Sequence, residues 1–299
     1  MHEPVSRSRR SYFSVFPALL WLTFPLVCIC AASVLCQDIQ FGQFRSAVAF
    51  AVSASGDCIV IDGGTSELLR FSGEGKLLGR IGGYGWSETE FDHPGDVICP
   101  NALDVYVADY GNHRVQRYDR NLNFVSSLSL RQSDDPDGRF GYPRGVGMSR
   151  VGALFIVDGE NTRIVKIGVS NAVERVFGGV EAGPGRLVNP SRVRVSDVDL
   201  VYVRDNERIA VFDIFGNYVA SLSGTFPGGF KTFTVEGDSL YILDSCSIRV
   251  LDRDGRERTT IELGPLLDAT ECPPSDIAVR GDRLYMLART RVVVHRLKF

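Results

Sequence analysis

The chain has 299 residues, 44% of them apolar and 23% charged, a balance that suits a packed globular protein and excludes a disordered or collagen-like one. Its 33 basic residues against 36 acidic ones give none of the electropositive surplus of a phosphate-backbone binder, so no nucleic-acid partner is expected.

Residues 1–36 read as an address. Arg7, Arg9 and Arg10 precede a stretch from Ser11 to Cys36 that carries no charged side chain and is rich in Leu, Val, Phe and Ala. That is the pattern of a signal peptide or of an N-terminal membrane anchor. Pro17 and Pro25 disfavour a stable spanning helix, and the small residues Ala31 and Ser33, or Val34 and Cys36, mark cleavage sites that start the mature chain near Val34 or Gln37. Ser8 to Phe13 also resembles a twin-arginine export motif, and Cys36 stands where a lipoprotein would be acylated, although Leu35 before it suits that poorly. The arginines hold the N-terminus on the cytoplasmic side, so the rest of the chain is expected to be exported, to the periplasm, the cell envelope or the medium. Membrane contact is expected only through residues 11–36, if they are kept.

Residues 37–299 repeat one pattern six times. An apolar run ending in Asp recurs as CIVIDG at 58, VYVADY at 105, LFIVDG at 154, VYVRDN at 201 and LYILDS at 240, with LYMLAR at 284 as the exception. The period is roughly 45 residues and no helical spacing interrupts it, which is the signature of a four-stranded propeller blade. The second copy shows all four strands in order: GDVICP, DVYVADY, HRVQRYD and FVSSLSL. Asp254-Gly255, Gly216-Asn217 and Glu236-Gly237 supply tight turns. Second strands are apolar on both sides of the pleat, as strands sandwiched between neighbouring blades must be.

The last copy runs SDIAVRG, RLYMLAR and RVVVHRLKF, so it is short by one strand. Asp38 to Phe44 is the expected donor. The expected fold is therefore all-β: a six-bladed β-propeller of four-stranded antiparallel blades, with the N-terminal strand closing the ring on the last blade.

The segment from Val107 to Asp119, VADYGNHRVQRYD, resembles the NHL repeat, in which a strand ending in Asp leads into a Gly-Asn-His-Arg turn and then an aliphatic and an aromatic residue. Weaker copies are VDGENTRIVKI at 157 and VRDNERIAVFD at 203, while the first, fifth and sixth blades lose the turn. The resemblance covers essentially all of 38–299. Related six-bladed propellers include metal-dependent lactonases and lyases with ligands around the axis, and others that bind RNA through a basic face. Here the inner strands GVGMS and SRVRV offer apolar residues and arginines, so no residue matches such a metal set.

The strand-end carboxylates Asp62, Asp109, Asp158, Asp205 and Asp244 are expected to accept hydrogen bonds from their own turns rather than to hold a metal. Arg114, Arg163 and Arg208, just beyond three of them, are expected to pair with neighbouring blades. Alternating strand direction puts the loops between blades and the turns after second strands on one face. That loop-rich face gathers Tyr84, Trp86 and His93 with Tyr110, Asn112 and His113, and Tyr142 from the next blade. These seven are the candidate binding residues for a protein, peptide or glycan, because loops carry function and aromatic residues anchor interfaces. Phe91 and Phe140, each shortly before a proline, are expected to plug gaps between blades.

No cofactor is expected. Asp134, Asp135 and Asp137 lack the spacing of an EF-hand loop, and a divalent metal, calcium or zinc, is the remaining alternative. Outside residues 1–36 the only histidines are His93, His113 and His295, with no HExxH pair, no CxxC, no nucleophile elbow and no phosphate loop. The expected function is that of a non-catalytic binding or scaffold module, with a metal-dependent lyase or lactonase in the axial channel as the alternative. Of the four cysteines beyond residue 36, topology suggests Cys58 with Cys99 and Cys246 with Cys272, each bridge worth roughly 3 to 4 kcal/mol. Four small buried thiols are the alternative.

Overall fold

The computed structural model describes residues 38–131, 138–222, 229–245, 247–267 and 273–297. Residues 1–37, with the export or anchor segment, lie outside the described residues, as do Asp134, Asp135, Asp137, Cys246 and Cys272.

The described residues form twenty-four strands and no α-helix. A short strand β1 (Ile39–Phe41) comes first. Blade one follows with β2 (Ala47–Val52), β3 (Cys58–Asp62), β4 (Glu67–Phe71) and β5 (Leu77–Gly82). Blade two has β6 (Pro94–Ile98), β7 (Asp104–Asp109), β8 (Arg114–Asp119) and β9 (Phe124–Leu128). Blade three has β10 (Gly145–Met148), β11 (Leu154–Asp158), β12 (Arg163–Ile167) and β13 (Val173–Phe177). Blade four has β14 (Pro190–Val195), β15 (Leu200–Asp205), β16 (Arg208–Asp213) and β17 (Tyr218–Leu222), and blade five has β18 (Thr232–Glu236), β19 (Ser239–Leu243), β20 (Ser247–Leu251) and β21 (Glu257–Glu262). Blade six holds β22 (Asp276–Arg280), β23 (Arg283–Leu287) and β24 (Val292–Arg296).

Each blade is one antiparallel sheet, in chain order in blades one to five, and the first strands of neighbouring blades touch all the way round, so the sheets form a closed six-bladed propeller. The fourth strand of blade six is β1, paired antiparallel to β24 with Ile39 opposite Val294 and Phe41 opposite Val292. The chain thus closes its own ring, and the open edge of β24 is covered.

The core lies between blades. One apolar cluster fills each of the six gaps, and second strands such as β3 and β11 are buried at every residue. Phe91 and Phe140 are fully buried, in the gaps between blades one and two and between blades two and three. Fourth strands such as β9 and β21 are mostly exposed, because they form the outer rim.

The Cys58–Cys99 bridge expected from topology is not formed; both are buried free thiols. The pleat explains this. Cys58 and Val60 face the gap between blades six and one, whereas Ile59, Ile61 and Cys99 belong to the gap between blades one and two. Burial pushes both thiols up, Cys99 to about 12 and Cys58 well above its ordinary value, so both stay protonated and serve as small packing groups.

The closure strand is held by its aromatic residues: Phe41 and Phe44 are buried against Phe71 of β4, at ring separations of 5.1 and 5.9 Å. Phe41→Ala is expected to destabilise the protein by about 3 kcal/mol, as a buried Phe truncation does, read as a lower denaturation midpoint.

Candidate functional site

The loop that enters blade two, residues 83–93, is fixed from below by alternate residues of β8. Arg114, Gln116 and Tyr118 share one face of that strand, as the period of two requires. Arg114 donates to the carbonyls of Trp86, Ser87 and Glu90, at 3.0, 2.8 and 2.9 Å. Gln116 and the Tyr118 hydroxyl both donate to the Glu88 carbonyl, at 3.1 and 2.7 Å. The carboxylate of Asp109, fully buried at the end of β7, accepts from the Asp92 N–H, the Asn112 amide and Arg114 Nε, each at 2.8 Å. With its backbone acceptors drawn inward, the loop turns Tyr84 and Trp86 out, 63% and 69% exposed, in edge contact at 5.8 Å.

Of the other candidates, Tyr110, His113 and Tyr142 form a second group. Tyr142 packs on His113 at 4.0 Å and on Tyr110 at 5.1 Å between ring centres. The Tyr142 N–H donates to His113 Nδ1 at 3.2 Å, which leaves the ring proton on Nε2. Burial and then the charge of Arg131 hold the His113 imidazole below its ordinary value, in keeping with a neutral ring that accepts at Nδ1. His93 is exposed and in hydrogen-bond contact with Asp92. Asn112 departs from the expected role: its amide ties the turn to the Gly85 carbonyl and to Asp109, so it builds the platform rather than displaying a group on it.

His93 and Tyr142 both adopt positive φ, 52° and 47°, directly before Pro94 and Pro143. A bulky residue there is strained by roughly 1 to 3 kcal/mol, and the strain falls on two of the candidate residues.

The strand-end carboxylates do more than stabilise their own turns. Asp62, Asp158 and Asp205 also accept from backbone N–H groups of their blade's entry loop, those of Arg45 and Ser46, Gly141, and Val188 and Asn189. Asp244, half-buried, bonds Ser247 and lies 3.6 Å from Arg249. The arginines expected to reach neighbouring blades do not. Arg114, Arg163 and Arg208 pair with Asp109, Asp158 and Asp205 of their own blades and with carbonyls of their own entry loops, because a residue starting the third strand sits opposite the Asp ending the second.

The axis holds residues that strand patterning does not single out. The residue of each first strand that pairs with the residue just before the Asp62, Asp109, Asp158, Asp205, Asp244 or Ala288 position is Ala49, Asp96, Gly145, Arg192, Thr232 or Asp276 in turn. Arg192 forks onto Asp276 at 2.5 and 2.9 Å and donates to Thr232 at 2.6 Å. Arg194, two residues on, forks onto Asp96 at 2.8 Å through both nitrogens. Blade four is thereby tied across the axis to blades two and six. Asp96 also accepts the Val146 N–H at 3.1 Å, and Asp276 accepts its own Ile277 N–H. Gly145 and Gly147 let β10 and β14 approach this closely, since a Cβ on them would stand 3.0 Å from Arg192 Cα and 3.1 Å from the Val193 carbonyl oxygen. Burial pushes the Asp96 carboxyl up, and Arg194, with Arg192 and the Val146 N–H, more than reverses this and holds it below the usual carboxylate range. The legible signal is two arginines at alternate positions of an inner strand; their partners, 98 and 84 residues away, are not legible. Among the described residues no group of three or more His, Cys, Asp or Glu is placed to hold a metal ion.

The family model of the NHL repeat matches residues 94–118, from β6 through β8. Protein brain tumor of Drosophila melanogaster is 25% identical over 142 residues, 47% of this chain and 13% of that protein's length. The chain thus spans a small part of that relative. Among solved structures, selenomethionine-substituted virginiamycin B lyase from Staphylococcus aureus matches with TM-score 0.60 and 11% identity, over 88% of this chain and 99% of that one. A catalytically inactive form of the Staphylococcus aureus lyase with quinupristin matches at TM-score 0.57 and 12% identity, over 84% of this chain and 80% of that one. Identity at that level speaks for the shared fold alone.

Arg194→Ala strands a buried carboxylate at Asp96 and is expected to destabilise the protein by about 3 to 5 kcal/mol in chemical denaturation. Adding Asp96→Ala should restore a large part of that loss, since it removes the unpaired charge. The same carboxylate sets a pH dependence. With its folded value lowered, Asp96 contributes stability above the ordinary carboxylate range and loses it as pH falls through the lowered value, so Asp96→Asn should flatten the acid limb of a stability–pH profile.

Proposed function

We propose that this NHL-repeat six-bladed β-propeller is an exported, non-catalytic binding module that captures a protein segment on the loop-rich face of blades two and three. The carrying observation is the Tyr84–Trp86 pair, exposed on a loop whose carbonyls are held by Arg114, Gln116 and Tyr118. Large aromatic side chains on a fixed backbone lose little freedom on binding, which is what an interface anchor needs. The Tyr110–His113–Tyr142 stack extends the surface toward blade three. Export rests on the charge pattern of residues 1–36, and a free peptide or a glycan would use the same aromatic surface. A lyase or lactonase in the axial channel is the weaker reading, because the axial positions are filled by arginine–aspartate pairs whose groups are already engaged with one another.

Partner capture from the exported fraction, followed by affinity measurement, tests the reading. Trp86→Ala is expected to weaken capture by about 2 kcal/mol, roughly thirtyfold, with Tyr84→Ala somewhat less. Both should leave the denaturation midpoint nearly unchanged, since the side chains are exposed. Unchanged affinity in both variants overturns this surface as the site. Capture should also weaken as pH falls through the lowered value of His113, because protonation removes the Nδ1 acceptor that holds Tyr142, and His113→Gln should remove that dependence.

A further inference from the structure

On the face opposite the loop-rich one, the later halves of all six first strands and the turns that follow them enclose an axial cavity of about 230 Å³. It has room for a ligand the size of about seven waters. Its floor is made by the two cross-axis ion pairs, and these are asymmetric. Arg192 and Arg194 keep 13% and 12% of their side-chain surface exposed, whereas Asp276 and Asp96 keep only 1% and 5%. The carboxylates are tucked into the backbone N–H groups of Ile277 and Val146, and Arg192 and Arg194 are the members of the pairs that line the cavity.

Two further arginines line the same cavity. Arg280 is shared between Glu236 at 3.2 Å and the Val52 carbonyl at 3.1 Å, and Arg150 is exposed. The apolar part of the wall includes Val52, Ile98 and Met148. Glu236 and Asp197 add two negative charges to the lining. Arg192, Arg194 and Arg280 are paired with Asp276, Asp96 and Glu236, so Arg150, with the shared Arg280 beside it, is what the cavity offers an oxyanion, and the planar fork of arginine suits a carboxylate. The two acids oppose a polyanion, and the apolar wall asks for a short hydrocarbon body. We propose that the axial cavity binds a small organic monocarboxylate, with its carboxylate toward the arginines and its hydrocarbon part on the Val52, Ile98 and Met148 side.

The site is independent of the aromatic platform, and its test can be kept separate. Full-length protein is titrated calorimetrically with acetate, hexanoate and benzoate, with acetamide, hexanamide and benzamide as their neutral counterparts, and with inorganic phosphate. At least one carboxylate is expected to bind at one per chain while its amide does not, and phosphate is expected to bind more weakly. Arg150→Gln and Arg280→Gln should each weaken that carboxylate by about tenfold, the loss of one charge-assisted contact. Neither substitution touches residues 83–93, so capture through Trp86 should be unaffected. Arg150 is exposed, which keeps the test valid should Arg280→Gln disturb folding. The proposal is overturned if no carboxylate is distinguished from its amide, if phosphate binds more tightly, or if Arg150→Gln binds the carboxylate as well as the unaltered protein does.

Discussion

The ring depends on what is done with charge at its axis. Six first strands converge there, and a propeller built only on apolar gaps would have nothing to fix the position of one blade against those it does not touch. Arg192 and Arg194, both on β14, cross the axis to Asp276 of blade six and Asp96 of blade two. A buried pair of this kind adds little net stability over a well-packed apolar substitute, but a missing partner is costly. Its value is therefore geometric. An arrangement that shifts blade four by one residue along the axis turns both arginines away from their carboxylates, and the fork geometry leaves no second way to satisfy them. Blade three supplies the room for this with Gly145 and Gly147, where any side chain would hold β10 and β14 apart.

The same economy of buried carboxylates governs the loop-rich face. In blades one to four the strand-end Asp is nearly or fully buried and is satisfied by the turn after it, by the entry loop before it, or by both, so turn and loop form one rigid unit. In blade two the unit is most complete, because Asn112, Arg114, Gln116 and Tyr118 all reach the entry loop. That completeness coincides with the blade whose NHL pattern is least degraded, where residues 94–118 match the family model. Rigidity inside and exposed aromatics outside then have one cause: the polar groups of the loop are consumed below, and Tyr84 and Trp86 are left with solvent.

Much of this is legible in the sequence. The period of the strand-end Asp gives six blades, the short last repeat gives the closure by residues 38–44, and Phe91 and Phe140 are recognisable as plugs. These are local patterns, repeated, and repetition averages out the ambiguity of any one strand. What escapes is non-local or hangs on the facing of a single residue. Asp96 looks like any polar residue at the start of a strand until Arg194 is known to lie across the axis. Cys58 and Cys99 do lie on neighbouring blades, yet alternation along β3 puts Cys58 beside Val60 on the wrong side of its sheet for a bridge. Arg114 reads as a link to a neighbouring blade unless its register against Asp109, across one hairpin, is taken into account.

The two faces consequently offer different chemistry, and strand direction is the reason. First strands run from the loop-rich face, where they begin beside buried carboxylates, toward the opposite face, where they end in short turns. Long entry loops can only accumulate at the starting face, so the exposed aromatic residues Tyr84 and Trp86 lie there. Short turns at the other end cannot cover the axis, so a cavity persists, floored by the two cross-axis ion pairs. A ring tied by charges across its axis thus separates a loop-built aromatic surface from an axial recess. Neither needs the other to move, because the blades between them are packed through every gap.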